Sequence, residues 1–223
     1  MVRTPLSKRI LPNYTRAEDI ANMVTHIVGG GIGIVALVFS VLIAAFHRNV
    51  WGIVGGSIYG FSMVALYTVS SVYHGLRPGM GKKVMQVIDH CTIYFLIAGT
   101  YTPILLSSIR PQFPALAWTI FGIEWGIVAF AVVFTAIDHN KYKKLSMTCY
   151  IGLGWCIVLV LKATVQSMGL SGFLWLIGGG VSYTIGAVLY GIGGKKPIYH
   201  TIFHVFVDIG SILQAICILF YVL

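Results

Sequence analysis

Long apolar runs recur from one end of the chain to the other, separated by short breaks that hold most of its Lys, Arg and Pro. Each run is close to the ~20 residues a helix needs to cross the hydrocarbon core of a bilayer. Reading the runs between breaks predicts seven helices, at residues 20–46, 51–74, 84–107, 113–136, 145–161, 170–191 and 198–223. The connections are short, so consecutive helices should pack as antiparallel neighbours. The expected fold is all-α: a polytopic integral membrane protein with seven transmembrane helices, made of an N-terminal segment 1–19 and one domain over 20–223. The first run is too long, and its flanks too poor in cleavage signals, for a secretory signal peptide, so it reads as the first helix.

Charge orients this bundle. Basic residues alternate between rich and poor connections, with twelve on the side of the N-terminus (Arg3 to Arg16, then Arg77, Lys82, Lys83, Lys141, Lys143, Lys144, Lys195, Lys196) and three opposite (Arg48, Arg110, Lys162). The positive-inside rule then puts the N-terminus in the cytoplasm and the C-terminus outside. The expected location is the cell membrane, as a multi-pass protein.

Composition narrows the function classes. Only 9% of the 223 residues are charged and 57% are hydrophobic, with a mean hydropathy of +0.88. A soluble domain carries about 25% charged residues, and the deficit excludes a soluble enzyme, a disordered tail and a coiled coil. The net charge of +9 does not point to nucleic acid, because the cations sit in short loops and not in a stripe interleaved with aromatics. The four cysteines form no CxxC pair and read as small buried hydrophobes.

Ionisable groups inside a bilayer are expensive, so each one in a span is a functional candidate. His26, Ser70, His74, Asp89, His90, His200 and His204 all fall at the cytoplasmic ends of their helices, which brings five of the seven histidines to one leaflet. His200 and His204 are one turn apart on the same face, and Ser70 and His74 repeat that spacing. Two imidazoles so spaced, with a third from a facing helix, match the three protein ligands of a catalytic zinc site; spacing alone does not separate zinc from iron. Asp89 reads either as a fourth ligand or as a base at the site.

The remaining polar residues carry blander expectations. Asp208, one turn past His204, reads as a carboxylate orienting that ring or as a partner of another helix. Glu124 lies midway along the fourth helix without a cationic partner, His47 is an inert outer-loop residue, and Asp138 and His139 belong to a solvated loop. Glycines four apart (Gly29/Gly33, Gly52/Gly56/Gly60, Gly122/Gly126) read as helix contacts, and Pro103 should kink the third helix.

The set Ser70-Ser71-Val72-Tyr73-His74, Asp89-His90, Ile97 to Pro103, and His200-Thr-Ile-Phe-His204, with the opening Glu18 to His26 and the stretch Lys143 to Trp155, resembles the bacterial hemolysin III proteins. These sit with the progestin and adiponectin receptor family, seven-helix proteins with a cytoplasmic N-terminus. The resemblance covers nearly the whole chain and implies that His74, His200 and His204 hold zinc, that Asp89 holds the water of that site, and that Ser70 lies beside it. The wider superfamily includes alkaline ceramidases, so the resemblance also makes hydrolysis of lipid amides or esters an available chemistry, with Asp89 and Ser70 as the catalytic pair and membrane lipid as the partner. Protein partners are not legible. Two alternatives stand beside it: a non-enzymatic regulator or sensor of membrane lipid state, and a membrane-lytic, pore-forming protein. The chain shows no amphipathic arm suited to the last.

Overall fold

The computed structural model describes residues 3–192, 196 and 198–223; Lys195, counted in the charge pattern, lies outside them. The described residues are helices, turns and irregular chain, with no strand among them. Six helical stretches are long and apolar enough to cross a membrane.

Helix α1 (Arg16–Phe46) begins four residues ahead of the apolar run, because Thr15 and Glu18 close a capping box there. Helix α2 (Val50–Gly75) starts on Asn49, whose side chain accepts from the Gly52 N–H. The two helices pack closely because small residues face the contact: a Cβ on Gly60 would lie 2.4 Å from Leu37 Cα. Gly122 and Gly126 differ from the expectation of helix contacts, since nothing lies within 4 Å of a Cβ built on either.

Helix α3 (Met80–Pro103) passes through its proline into a π-helical turn, Ile104–Ile109. Proline lacks the N–H for the regular ladder, and the wider turn absorbs the interruption. Helix α4 (Pro114–Asp138) follows, and then one run of 50 residues, 143–192, made of α5 (Lys143–Gly154), a 3₁₀ stretch (Cys156–Val160) and α6 (Leu161–Ile192). A straight helix of that length would span ~75 Å, more than twice the hydrocarbon thickness. The chain instead doubles back at Gly169, whose φ of 74° and ψ of 165° only glycine adopts freely. Trp155 and Thr184 are 29 positions apart, yet the Trp155 indole N–H donates to the Thr184 hydroxyl at 3.0 Å. The two arms coincide with the separate runs at 145–161 and 170–191. The first arm is not one continuous helix as its pattern suggested: it breaks at Trp155, just after Gly152 and Gly154, two residues of low helix propensity. Helix α7 (Ile198–Cys217) ends in a second π turn, Ile218–Val222.

The core lies between α2, α3, α6 and α7, around Tyr59, Met63, Tyr67, Leu96 and Tyr101. Helix α1 leaves Val24, Ile27, Val28, Ile34, Val35, Phe39 and Leu42 exposed. Such a continuous apolar face is solvated by lipid and not by water. The protein is a multi-pass membrane protein.

The segment before α1 folds across one end of the bundle. The Thr4 N–H donates to Asp138 Oδ2 at 3.1 Å, Arg9 Nη2 to the Ile137 carbonyl at 2.5 Å, and Lys83 Nζ to the Ser7 carbonyl at 2.6 Å. Asp138 and His139 are therefore buried, at 1% and 6% exposure, and not on the solvated loop that the neighbouring lysines suggested.

Candidate metal centre

Three imidazoles meet between α2 and α7. His200 and His204 stand one turn apart near the start of α7, and His74 comes from the last turn of α2. His200 Nε2 lies 3.3 Å from His74 Nε2 and 3.0 Å from His204 Nε2. One nitrogen from each ring lies within 4.8 Å of the other two. Nitrogens about 2.0–2.1 Å from one tetrahedral ion lie about 3.3 Å apart. The trio is spaced as ligands of a single ion are, and could hold a metal.

What surrounds these rings fixes which nitrogen is free. His74 Nδ1 lies 3.0 Å from Asp19 Oδ1, and the other oxygen of that carboxylate accepts from Lys82 Nζ at 2.5 Å. A carboxylate held by an ammonium is an acceptor, so His74 donates from Nδ1 and keeps its Nε2 lone pair for the cluster. This is the carboxylate–histidine pairing found behind most metal-bound imidazoles. His204 is backed by the Asn22 backbone, with Thr25 Oγ1 3.5 Å from its Nδ1. His200 Nδ1 has no partner among the described residues. The Tyr14 ring stacks on His200 at 5.1 Å between centroids and 18° between planes. Burial pushes the Tyr14 hydroxyl above its ordinary range, so a neutral ring covers the cluster. Asp19, Lys82 and Tyr14 are the site residues that sequence reasoning missed. The one available signal was Asp19, in the opening stretch that carried the family resemblance.

Of the other residues expected at this depth, His26 joins the cluster by stacking on His204, with centroids 3.8 Å apart. His90 does not. It follows Asp89 directly on α3, about 100° around the helix, and faces His139, whose ring centroid is 5.1 Å away. Burial, helped by His90, holds the His139 imidazole down at about 4, so it is neutral at pH 7. Asp89 is not one of the grouped metal-binding residues; it lies beside Ser70 in the cavity lining. Asp208 sits against Gly29 and Tyr67 instead of backing His204, and its Oδ1 has no partner among the described residues. Glu124 pairs with the Cys156 thiol, and His47 Nδ1 bonds the Leu223 carbonyl at 2.8 Å.

A cavity of about 300 Å³ starts at the cluster. His200, His204, His26, Ser70 and Asp89 line its head. Its walls continue along α3 and α7 past Leu96, Ile97 and Val207, and it ends near Thr100 and Gln214. From His204 to Gln214 is ten residues of helix, about 15 Å of depth. The arrangement sets two imidazoles of the trio, with His74 behind them, a carboxylate and a hydroxyl at the head of a long, largely apolar chamber, the shape of a lipid chain with a polar end.

A family model described as "Haemolysin-III related" matches residues 14–215, a range that includes every residue of the cluster. The chain is similar to Hemolysin-3 of Bacillus cereus, 36% identical over 206 residues and 92% of each protein. It is similar to the Hemolysin-3 homolog of Bacillus subtilis (strain 168), 37% identical over 208 residues, 93% of this chain and 96% of that protein. The human Monocyte to macrophage differentiation factor is 30% identical over 213 residues, 92% of this chain and 84% of its own length.

Proposed function

The chain belongs to the haemolysin-III related family, and from that premise we propose that it is a zinc-dependent hydrolase of lipid amides or esters. The observation that carries this reading is the three-histidine group at the head of one lipid-sized cavity, whose lining includes His200, His204, Asp89 and Ser70. The reading includes a cytoplasmic N-terminus, an external C-terminus and a site at the cytoplasmic headgroup level. Its support is that Arg9, Lys82 and Lys83 all lie at the cluster's end of the bundle.

His74, His200 and His204 would hold the zinc. The ion, when bound, supplies Lewis acidity, which polarises a carbonyl and makes water acidic enough to attack near neutral pH. Asp89 takes the proton of the attacking water and passes it to the departing amine or alcohol as the acyl C–N or C–O bond breaks. The Ser70 hydroxyl, beside Asp89, orients that carboxylate. Asp19 and Lys82 keep His74 in its Nδ1–H tautomer, and the apolar walls take the acyl chain.

The test is turnover. Purified, zinc-loaded protein is given long-chain ceramides and fatty acyl esters in mixed micelles, and free fatty acid is measured by mass spectrometry. Release that stops with a chelator and returns with zinc is the expected result. A second reading draws on the Asp19–Lys82 and Asp19–His74 bonds, which with His200 and His204 tie α1, α2, α3 and α7 together. An ion there would staple four helices and suit a non-enzymatic sensor of lipid state. Full metal occupancy with no release from any lipid would favour it.

Asp19 gives a separate check on the metal centre. Asp19→Asn keeps the shape but weakens the acceptor behind His74, and loss of such a partner costs 10–100-fold in metal affinity. Competition against a chromophoric chelator measures this, and an unchanged affinity would show that Asp19 does not tune the site.

A further inference from the structure

Along α7 one stripe faces inward: His200, His204, Val207, Ser211 and Gln214, at spacings of four, three, four and three. The first two belong to the cluster and Val207 to the apolar wall. Ser211 is satisfied, since it bonds the hydroxyls of Tyr67 and Tyr183, each at 2.7 Å. Gln214 differs. Its side chain lines the inner end of the cavity at 8% exposure, and no hydrogen bond reaches its amide from any described residue. The amide is held in place by the absence of a side chain on α6: a Cβ on Gly179 would lie 2.5 Å from Gln214 Cγ and 3.2 Å from Cδ. The polar atoms of the amide open into the cavity, within reach of a group bound there.

We infer that the inner end of the cavity is a subsite for a hydroxyl group on the aliphatic chain of the bound lipid, held by the Gln214 amide about 15 Å from the imidazole cluster. An amide offers one acceptor oxygen and two donor hydrogens, and a hydroxyl both donates and accepts, so one such group satisfies it on both sides. The inference rests on the reading of the cavity as a lipid site, but it sets chain specificity and not reactivity. It selects chains oxygenated near their middle over unsubstituted ones.

The experiment measures binding of 12-hydroxystearate, 2-hydroxystearate and stearate to the full-length, zinc-loaded protein in detergent, by calorimetry. One added hydrogen bond predicts about three- to tenfold tighter binding of the 12-hydroxy acid than of stearate. The 2-hydroxy isomer, whose hydroxyl stays at the head, should show no such gain. In Gln214→Leu the preference for the 12-hydroxy acid over stearate disappears while metal content stays unchanged; Gln214→Met serves if the leucine variant does not fold. Equal affinities in the wild type, as when a water already occupies the amide, overturn the subsite and leave the lipid reading intact. So does a preference that survives in the variant. Failure of all three acids to bind overturns the lipid reading itself, and the subsite with it.

Discussion

Protein carrying His200→Ala and His204→Ala is expected to lose its metal while keeping its fold. Wild-type protein purified without chelator should hold about one zinc per chain by elemental mass spectrometry, as a three-histidine site implies, and the double variant close to none. Two ligands remain necessary because His74 alone offers a single nitrogen, and a lone imidazole does not retain an ion through purification. The fold should persist because the cluster sits at one end of the bundle, while the main core around Tyr59, Met63 and Tyr101 is built of apolar contacts away from it. Stability supplies an independent readout: a ligand that binds only the folded state stabilises it by RT ln(1 + [L]/Kd). Chelator should therefore lower the thermal midpoint of the wild type and leave the variant unmoved. Equal zinc in both proteins would place the metal elsewhere and leave the three rings as helix-packing groups.

The parts of this site that were legible in the sequence are those that a membrane makes conspicuous. A histidine or an aspartate within an apolar run stands out by its cost, and the i,i+4 spacing of His200 and His204 carries its own geometry. The apolar runs were legible for the same reason, although the two expected at 145–161 and 170–191 lie in one 50-residue stretch kinked at Gly169, and six stretches in all are long and apolar enough to cross a membrane. Less legible was every residue whose meaning lies in a partner from another helix. Asp19 sits in the first turn of α1, where an acid is expected for the helix dipole alone. Lys82 lies among loop cations that the orientation rule already explains. Only the folded chain sets the two together behind His74. Asp138 and His139 were misread because a run of lysines says nothing about residues 3–15 folding over them. His90 reached the expected depth and lines the cavity without entering the trio, since depth follows from the sequence position of a span and azimuth from what the helix packs against.

Asp89→Asn and Asp89→Ala separate holding the metal from using it. Asp89 lies beside Ser70 and outside the group of imidazole nitrogens, so both variants should retain zinc at the wild-type level. Turnover should fall by about 10²–10⁴, the usual contribution of a positioned general base. Asparagine is the sharper of the two changes because it keeps the volume and the Ser70 contact but cannot take a proton. A drop in kcat with little change in KM would place the loss in the transition state, whereas a rise in KM alone would mean that Asp89 binds the lipid head. If zinc is lost with Asp89, the carboxylate is a fourth ligand and the proton must travel by another group, of which the cavity head offers His26 and Ser70. If zinc and turnover both survive, Asp89 is neither ligand nor base. The three histidines then have no proton acceptor of their own, and the cluster is better read as the staple that joins α1, α2, α3 and α7.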